Sequence, residues 1–445
     1  MTKTITVKIA PRTLLFATVL VFMGAQQSFG IPVFARTYKT SCLTCHVAPP
    51  KLTPFGEAFR LNGFQIPDDD GESVKEEPLV LGADAYKLVW PKAVWPGSIP
   101  GTIPLSFRAK TGFDFSKADT VYTSSFVPPT LQIMLAGTMG EDISFAVGAH
   151  LFDRGEFGSM DRLYLQFNNM FSSVVPDYLL YLKVGQFVPE MVPFISNHRS
   201  LTLTPYAFNT YTPSFGSGFV AEHGHGDASF GIESFQIGAE LSGIVFDRIR
   251  YVAGVVGGNG PNALDDNNAK DFYGRIAGKI GGKALSKGGD VASQTGENWV
   301  DNSLQLGVFG YKGAKKNVGY ISPKDLEFFR VGGDFSLNYG NLNLYGGAIF
   351  GQDQHVDKME DHIGIEEYNL LFAEAAYIVF PWLIPVVRYE QANPTGEPSF
   401  GRTIASITVL LHANAKLIAE VPVDIPANIY DARFQQMRLG VDYSF

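Results

Sequence analysis

Cysteine is almost absent from this chain of 445 residues: there are two, Cys42 and Cys45. Two cysteines cannot build a disulfide framework. Charge is also scarce, at 18% of residues, against roughly 25% in ordinary soluble domains. Basic residues are not in excess. Lys and Arg number 35 against 44 Asp and Glu, a formal net charge of −9, which disfavours a nucleic-acid partner. Long apolar runs are missing after the first thirty residues. A mean hydropathy of +0.04 is too low for a bundle of membrane-spanning helices. What the chain has instead is 47 glycines and 13% aromatic residues.

Residues 1–30 read as a secretory signal peptide. Lys3, Lys8 and Arg12 form a basic start, Leu14 to Ala25 an apolar stretch, and Ser28 and Gly30 supply small residues before a cleavage site after Gly30. A single membrane anchor is the alternative, but the apolar stretch is shorter than the ~20 residues a spanning helix needs. Without these residues the chain carries 32 basic and 44 acidic groups, a net charge of −12. It is expected to be exported and acidic.

The two cysteines then acquire a meaning. Cys42-Leu43-Thr44-Cys45-His46 matches the attachment signature of a c-type haem. Two thiols add to the two vinyl groups of one porphyrin, and the next imidazole reaches the iron from the proximal side. A structural disulfide, a thioredoxin-like redox pair and a zinc site are weaker alternatives. No βαβ pattern surrounds the motif, and no further Cys or His follows before His150. Residues 31–78 are expected to form a small haem segment, with a short helix over Lys51 to Leu61 that sets Phe55 and Phe59 on one face. Those rings would cover either a porphyrin or a small apolar core. Pro67 to Glu77 is acidic and turn-rich and reads as the start of a linker continuing over 79–102. The haem segment contains no second His and no Met, so a distal ligand must come from elsewhere or the iron stays five-coordinate. His150, His198, His223 and His225 are the candidates, each with the plainer alternative of a solvated or lumen-lining histidine.

From residue 103 to 445 the pattern changes to segments of roughly ten residues that alternate apolar and polar, with turns between them. That is the signature of an outer-membrane β-barrel. Clear cases are Ile143-Phe145-Val147-Ala149-Leu151, Phe235-Ile237-Ala239-Leu241 and Leu304-Leu306-Val308. The last segment, Met437-Leu439-Val441-Tyr443-Phe445, ends the chain on an aromatic residue, as the assembly signal of such barrels does. About sixteen segments are expected. They begin near residues 103, 129, 142, 160, 178, 230, 248, 271, 303, 326, 341, 366, 382, 402, 415 and 434. Gly140-Glu141-Asp142, Phe246-Asp247-Arg248 and Tyr339-Gly340-Asn341 read as tight periplasmic turns. The connections at 116–128, 258–270, 312–324, 352–365 and 391–401 read as longer outer loops. Residues 281–302 break this alternation, being long where a short turn is due. The stretch from Val188 to Asp227 is expected to fold inward and narrow the lumen. A soluble β-sandwich or propeller is the rival architecture. With an even strand count, both ends of the barrel lie on the periplasmic side, so the haem segment sits there or plugs the lumen from below.

Pro32-x-Phe34-Ala35-Arg36, Cys42-x-x-Cys45-His46 and Pro50-x-Leu52-x-x-Phe55-Gly56-x-x-Phe59-x-x-Asn62-Gly63-Phe64 together resemble the fused monohaem cytochrome–porins, outer-membrane iron(II) oxidases of iron-oxidising bacteria and their relatives. The motif covers about thirty residues; the barrel matches in length and general pattern. The resemblance implies one covalent haem c held by Cys42 and Cys45 with His46 as proximal ligand. It implies electron uptake from extracellular Fe(II) or another donor, and delivery to a periplasmic cytochrome or copper protein. It leaves the distal ligand and the donor open.

A one-electron haem suits the Fe(II)/Fe(III) couple, and an acidic barrel attracts cations. Asp353, His355, Asp357, Glu360, Asp361 and His362 form the densest group of hard ligands. They read either as a site where Fe(II) approaches or as a solvated acidic loop. Three functions follow: an Fe(II)-oxidising conduit, a conduit with a different donor or direction, and a diffusion porin with a haem plug. Oligomeric state stays open.

Overall fold

From Leu105 onward the chain folds as successive antiparallel hairpins. The computed structural model describes residues 32–445 apart from 69, 74, 95–96, 119–120, 154, 193–199, 211–233, 266–267, 289–296, 318–323, 358–361, 396–398, 426–432 and 435. The expected signal peptide and His198, His223, His225, Glu360 and Asp361 lie outside the described residues.

The strands are β1 Leu105–Ala118, β2 Val121–Met139, β3 Ile143–Asp153, β4 in two pieces (Glu156–Phe157 and Met160–Phe167), β5 Tyr181–Phe187, β6 Gln236–Val245, β7 Ile249–Val256 and β8 Asp271–Gly281. There follow β9 Ser303–Asn317, β10 Lys324–Tyr339, β11 Leu342–Asp357, β12 His362–Tyr377, β13 Leu383–Pro394, β14 Phe400–His412, β15 Ala415–Ile425 and β16, again in two pieces (Arg433–Phe434 and Gln436–Ser444). Each pairs with its successor. β16 pairs with β1 from Gln436↔Ser116 to Ser444↔Arg108, closing a sixteen-strand barrel. Closure removes every sheet edge.

The expected turns at Gly140, Phe246–Asp247 and Gly340 hold. These residues adopt φ of 76°, 52°, 58° and 53° respectively, the left-handed region that tight hairpin turns use. Several expected outer loops do not. The register runs on to Ala118↔Val121, Asn317↔Lys324 and Asp357↔His362, so most of 116–128, 312–324 and 352–365 is strand. Their polar composition read as loop. In fact antiparallel pairing continues past the ~9–11 residues that span a bilayer, where outward side chains no longer need to be apolar.

Alternation sorts the two faces. Phe272, Ile276, Leu306, Val308, Val387, Leu439, Val441 and Tyr443 point outward and stay exposed. Between them Asp271, Arg275, Arg388, Glu390 and Asp442 point inward and are buried. Apolar outside and charged inside inverts a soluble protein and matches a barrel in lipid.

The described part of the 188–227 connection does fold into the lumen. Met191, Leu201, Tyr206 and Phe208 are buried there. Inward carboxylates hold its backbone: Leu203 N donates to Glu420 Oε2 at 2.6 Å, Ala207 N to Glu390 Oε1 at 2.6 Å, and Tyr206 Oη to Glu374 Oε2 at 3.0 Å. The Arg388 guanidinium lies 4.2 Å from the centroid of the Tyr206 ring. Buried charges that are each met by a polar partner or a ring face are tolerated.

The N-terminal segment packs at the barrel end that carries the short turns. Its helices are α1 Val33–Thr37, α2 Cys42–Cys45 and α3 Pro54–Leu61. The expected helix therefore begins three residues late: Lys51 and Leu52 pair instead with Ala48 and His46 in a small hairpin. Gln65 Nε2 donates to the Glu141 carbonyl at 3.0 Å, and Tyr181 Oη to Asn62 Oδ1 at 3.1 Å. The 67–77 stretch is not a free linker. Asp68 accepts from Tyr178 Oη at 2.7 Å and pairs with Lys287 at 2.6 Å. The anomalous connection 281–302 finds its use here, since Leu285 packs with Leu61 and Ile244 beneath the segment.

Candidate haem site

Ser41 caps α2: its hydroxyl accepts from Leu43 N at 3.2 Å. Thr53 caps α3, accepting from Gly56 N at 3.1 Å, with Pro54 in the first turn, where a proline costs no hydrogen bond. Thr53 also ties back to the cysteine turn. Its N donates to the Cys45 carbonyl at 2.9 Å and its hydroxyl to the Thr44 carbonyl at 3.1 Å. α3 thus lies directly on the Cys42–Cys45 turn. A Cβ on Gly56 would fall 2.0 Å from the Cys45 carbonyl oxygen, so only glycine permits this approach.

Phe34 meets Phe59 edge-on at 5.1 Å and stacks on Phe64 at 5.0 Å; Tyr38 meets Phe59 at 5.4 Å. The Tyr38 hydroxyl donates to Asp70 at 2.6 Å.

Between this aromatic group and the barrel wall lies a cavity of about 710 Å³. Cys42, Cys45 and His46 all line it, with Phe55 and Phe59 from the segment and Ser106, Arg108, Met134 and Arg162 from β1, β2 and β4. Its volume falls in the range of cofactor sites. Both cysteines are free thiols. Burial raises the Cys42 thiol above its usual value and, with Cys42 alongside, pushes Cys45 to about 12. Burial lowers His46 to about 4; the Pro50 carbonyl beside it opposes the shift, and the Arg108 and Lys416 charges reinforce it. The imidazole is therefore neutral, the form that binds a metal. Its Nδ1 is buried and meets no partner at hydrogen-bond geometry. Two thiols, a neutral imidazole with an unmatched ring nitrogen, and an aromatic cavity fit the chemistry of a c-type haem.

The cationic groups around the cavity differ in their commitments. Arg108 binds Asp442 through two bonds at 2.9 and 2.6 Å, and Lys183 binds Glu240 at 2.6 Å. Arg60 meets Glu57 at 3.1 Å and Glu190 at 3.5 Å. Arg162 meets the ring of Phe235 at 5.6 Å and no carboxylate among the described residues.

The other sequence candidates fall elsewhere. His150 is on β3 and faces inward, but its Nδ1 lies 3.0 Å from Asp161 Oδ1, and it does not line the cavity. Asp353 is not a loop ligand. It is buried on β11, 2.7 Å from Arg330 Nη2, and accepts from the Tyr368 hydroxyl at 3.0 Å. His355, Asp357 and His362 lie within paired strands, and Glu360 and Asp361 lie outside the described residues. Among the described residues no group of three or more His, Cys, Asp or Glu could hold a metal ion. Met134 and Arg162 were not identified from the sequence. A signal for Met134 exists: it keeps step with the inward Gln132 on β2, an apolar residue at a lumen-facing position.

No protein-family model and no curated protein matches the chain. Solved structures do. The chain is similar to an anion-selective porin from Comamonas acidovorans, with a TM-score of 0.51 and 12% identity over 77% of this chain and 99% of that one. It is also similar to OmpT, an outer membrane protein of Vibrio cholerae in a trimer form, with a TM-score of 0.50 and 10% identity over 77% and 99%. At such identities the likeness concerns the fold: the chain has a porin-like β-barrel.

Proposed function

We propose that this chain is a bacterial outer-membrane cytochrome–porin that takes electrons from extracellular Fe(II) and passes them through one covalent haem c to a periplasmic carrier. One observation carries the reading: Cys42, Cys45 and His46 line a single aromatic cavity enclosed between the N-terminal segment and the barrel wall. Cys42 and Cys45 would hold the haem, His46 would be its proximal ligand, and Arg162, which lines the same cavity, would offer a cation to a propionate. Bound there, the haem supplies a one-electron relay. Phe55, Phe59 and the barrel wall exclude water from it, and His46 arrives neutral without releasing a proton. The apolar outer face supports a barrel embedded in the membrane; in this reading the short-turn end and the haem segment face the periplasm. Fe(II) as donor rests on the resemblance of the N-terminal motif.

Covalent haem is tested by haem staining of the denatured polypeptide. Stopped-flow mixing of the oxidised protein with excess Fe(II) tests the donor; a haem that stays oxidised excludes Fe(II), and mineral or electrode donors are then tried in its place.

The likeness to an anion-selective porin favours a second reading, a diffusion porin with a haem plug. Leu201, Tyr206 and Phe208, packed inside the lumen, narrow the barrel in either reading. Solute flux into liposomes carrying the protein decides: a sealed barrel excludes the porin reading.

A further inference from the structure

We propose that Met134 is the distal ligand of the haem iron, an inference that rests on the haem reading above. Methionine and histidine are the usual sixth ligands of c-type haems. Among the described residues that line the cavity, His46 is the one histidine and Met134 the one methionine.

The barrel explains how Met134 reaches the site. Strand side chains alternate between faces. Gln132, two residues earlier, points into the lumen and donates to Asp161 at 2.8 Å, so Met134 points inward too. Its cross-strand partners are Ser106 on β1 and Gly148 on β3. Both are small, so the longer thioether stands clear of the wall. His46 lines the cavity from the segment and Met134 from the wall, so the two ligands would come to the iron from different elements.

The competing donors are committed. His150 is held by Asp161 at 3.0 Å and lies off the cavity. Lys183 is bound by Glu240 at 2.6 Å, and the Tyr38 hydroxyl by Asp70 at 2.6 Å. The thioether of Met134 makes no such commitment and is a soft ligand suited to ferrous haem. A His/Met pair also raises the potential of a haem, the direction that accepting electrons from a weak reductant such as Fe(II) requires.

The test uses the full-length, haem-matured protein in detergent, with Met134→Leu, Met134→His and His150→Ala beside the wild type. The wild-type ferric haem is expected to be low-spin with a sulfur-to-iron charge-transfer band. Met134→Leu, which preserves side-chain bulk, loses that band and becomes high-spin, and its ferrous form binds carbon monoxide readily. Met134→His stays low-spin without the band, and its potential falls. His150→Ala keeps the wild-type spectrum. The assignment is overturned if the wild type lacks the band, if Met134→Leu retains it, or if His150→Ala becomes high-spin. If the wild-type polypeptide retains no haem on denaturation, the haem reading itself fails. If it retains haem and Met134→Leu is spectrally unchanged, only the ligand assignment fails.

Discussion

Asn298 donates from Nδ2 to the carbonyl of Leu43, between the two cysteines, at 2.6 Å across 255 residues of sequence. Trp299, its neighbour, and Leu43 both pack against the cluster that contains Val47, Ala48 and Ile378. The connection between β8 and β9, too long for a simple turn, thereby braces the cysteine turn from below.

Replacing Asn298 by Ala removes this brace. A single hydrogen bond of this kind is worth about 1 kcal/mol, roughly a fivefold change in an opening equilibrium. Limited proteolysis within residues 31–78 should accelerate by that factor, while the heat-dependent gel mobility of the barrel stays unchanged. A change below twofold would remove the brace from the account.

Gly56→Ala drives a Cβ into the Cys45 carbonyl at 2.0 Å. Overpacking against rigid backbone costs about 3 kcal/mol or more, so α3 should separate from the cysteine turn. Haem-stained protein should fall strongly relative to barrel protein on the same gel. Equal haem content in wild type and variant contradicts the close approach.

Arg162→Ala would remove a cation from the cavity proposed to hold the haem. Loss of a nearby positive charge favours the oxidised haem, so the reduction potential should fall while covalent haem content holds. Arg162→Lys should restore much of the difference. A potential unmoved by Arg162→Ala removes this residue from the haem site.

Asp68 gives a pH dependence. Partial burial pushes its carboxyl upward, but hydrogen bonds from Lys287 and Tyr178 and the Lys287 charge outweigh this and hold it below its ordinary 3.8. A carboxyl lowered by folding contributes stability above pH 3.8 and loses it as the pH falls through the lowered value. Proteolysis of the N-terminal segment should therefore accelerate on acidification below about pH 4. In Asp68→Asn this acid step should be absent, with the segment already loosened at neutral pH. An acid step of full size in Asp68→Asn would falsify the assignment.

Phe208 stacks on Tyr206 at 5.1 Å and meets Phe372 at 5.2 Å inside the barrel. Phe208→Ala opens a cavity worth about 3 kcal/mol or more and thins the packing that fills the barrel. Small-solute flux into liposomes should rise above that of the wild type. An unchanged flux shows that the seal lies elsewhere.

The barrel was legible because its signals are local. Leu439, Val441 and Tyr443 alternate with Gly440 and Asp442, and Gly140 and Gly340 mark turns, so strand number followed from period and punctuation. The motif proposed to attach a haem is equally local, confined to Cys42, Cys45 and His46, and the structure brings all three to one cavity. The extended hairpins were not legible, because outside the membrane a strand tolerates polar residues on both faces. The distal side of the cavity was illegible for a different reason. Which inward residue faces His46 depends on which strands lie over the segment once the barrel closes, and no local pattern records that. Asp353 reads as a loop ligand in the sequence because its ion pair with Arg330 on the neighbouring strand is set by register.

The seam between the last strand and the first also shapes how the protein is made. Arg108 and Ser106 of β1 and Ser444 of β16 all line the cavity beside Cys42 and Cys45, and Arg108 is bonded across the seam to Asp442. Until those two strands zip together, the cavity lacks a wall. Closing the seam narrows the approach to both thiols. If a haem is attached as proposed, its loading would be easiest before the last strand pairs with the first, and that pairing would then help to retain it.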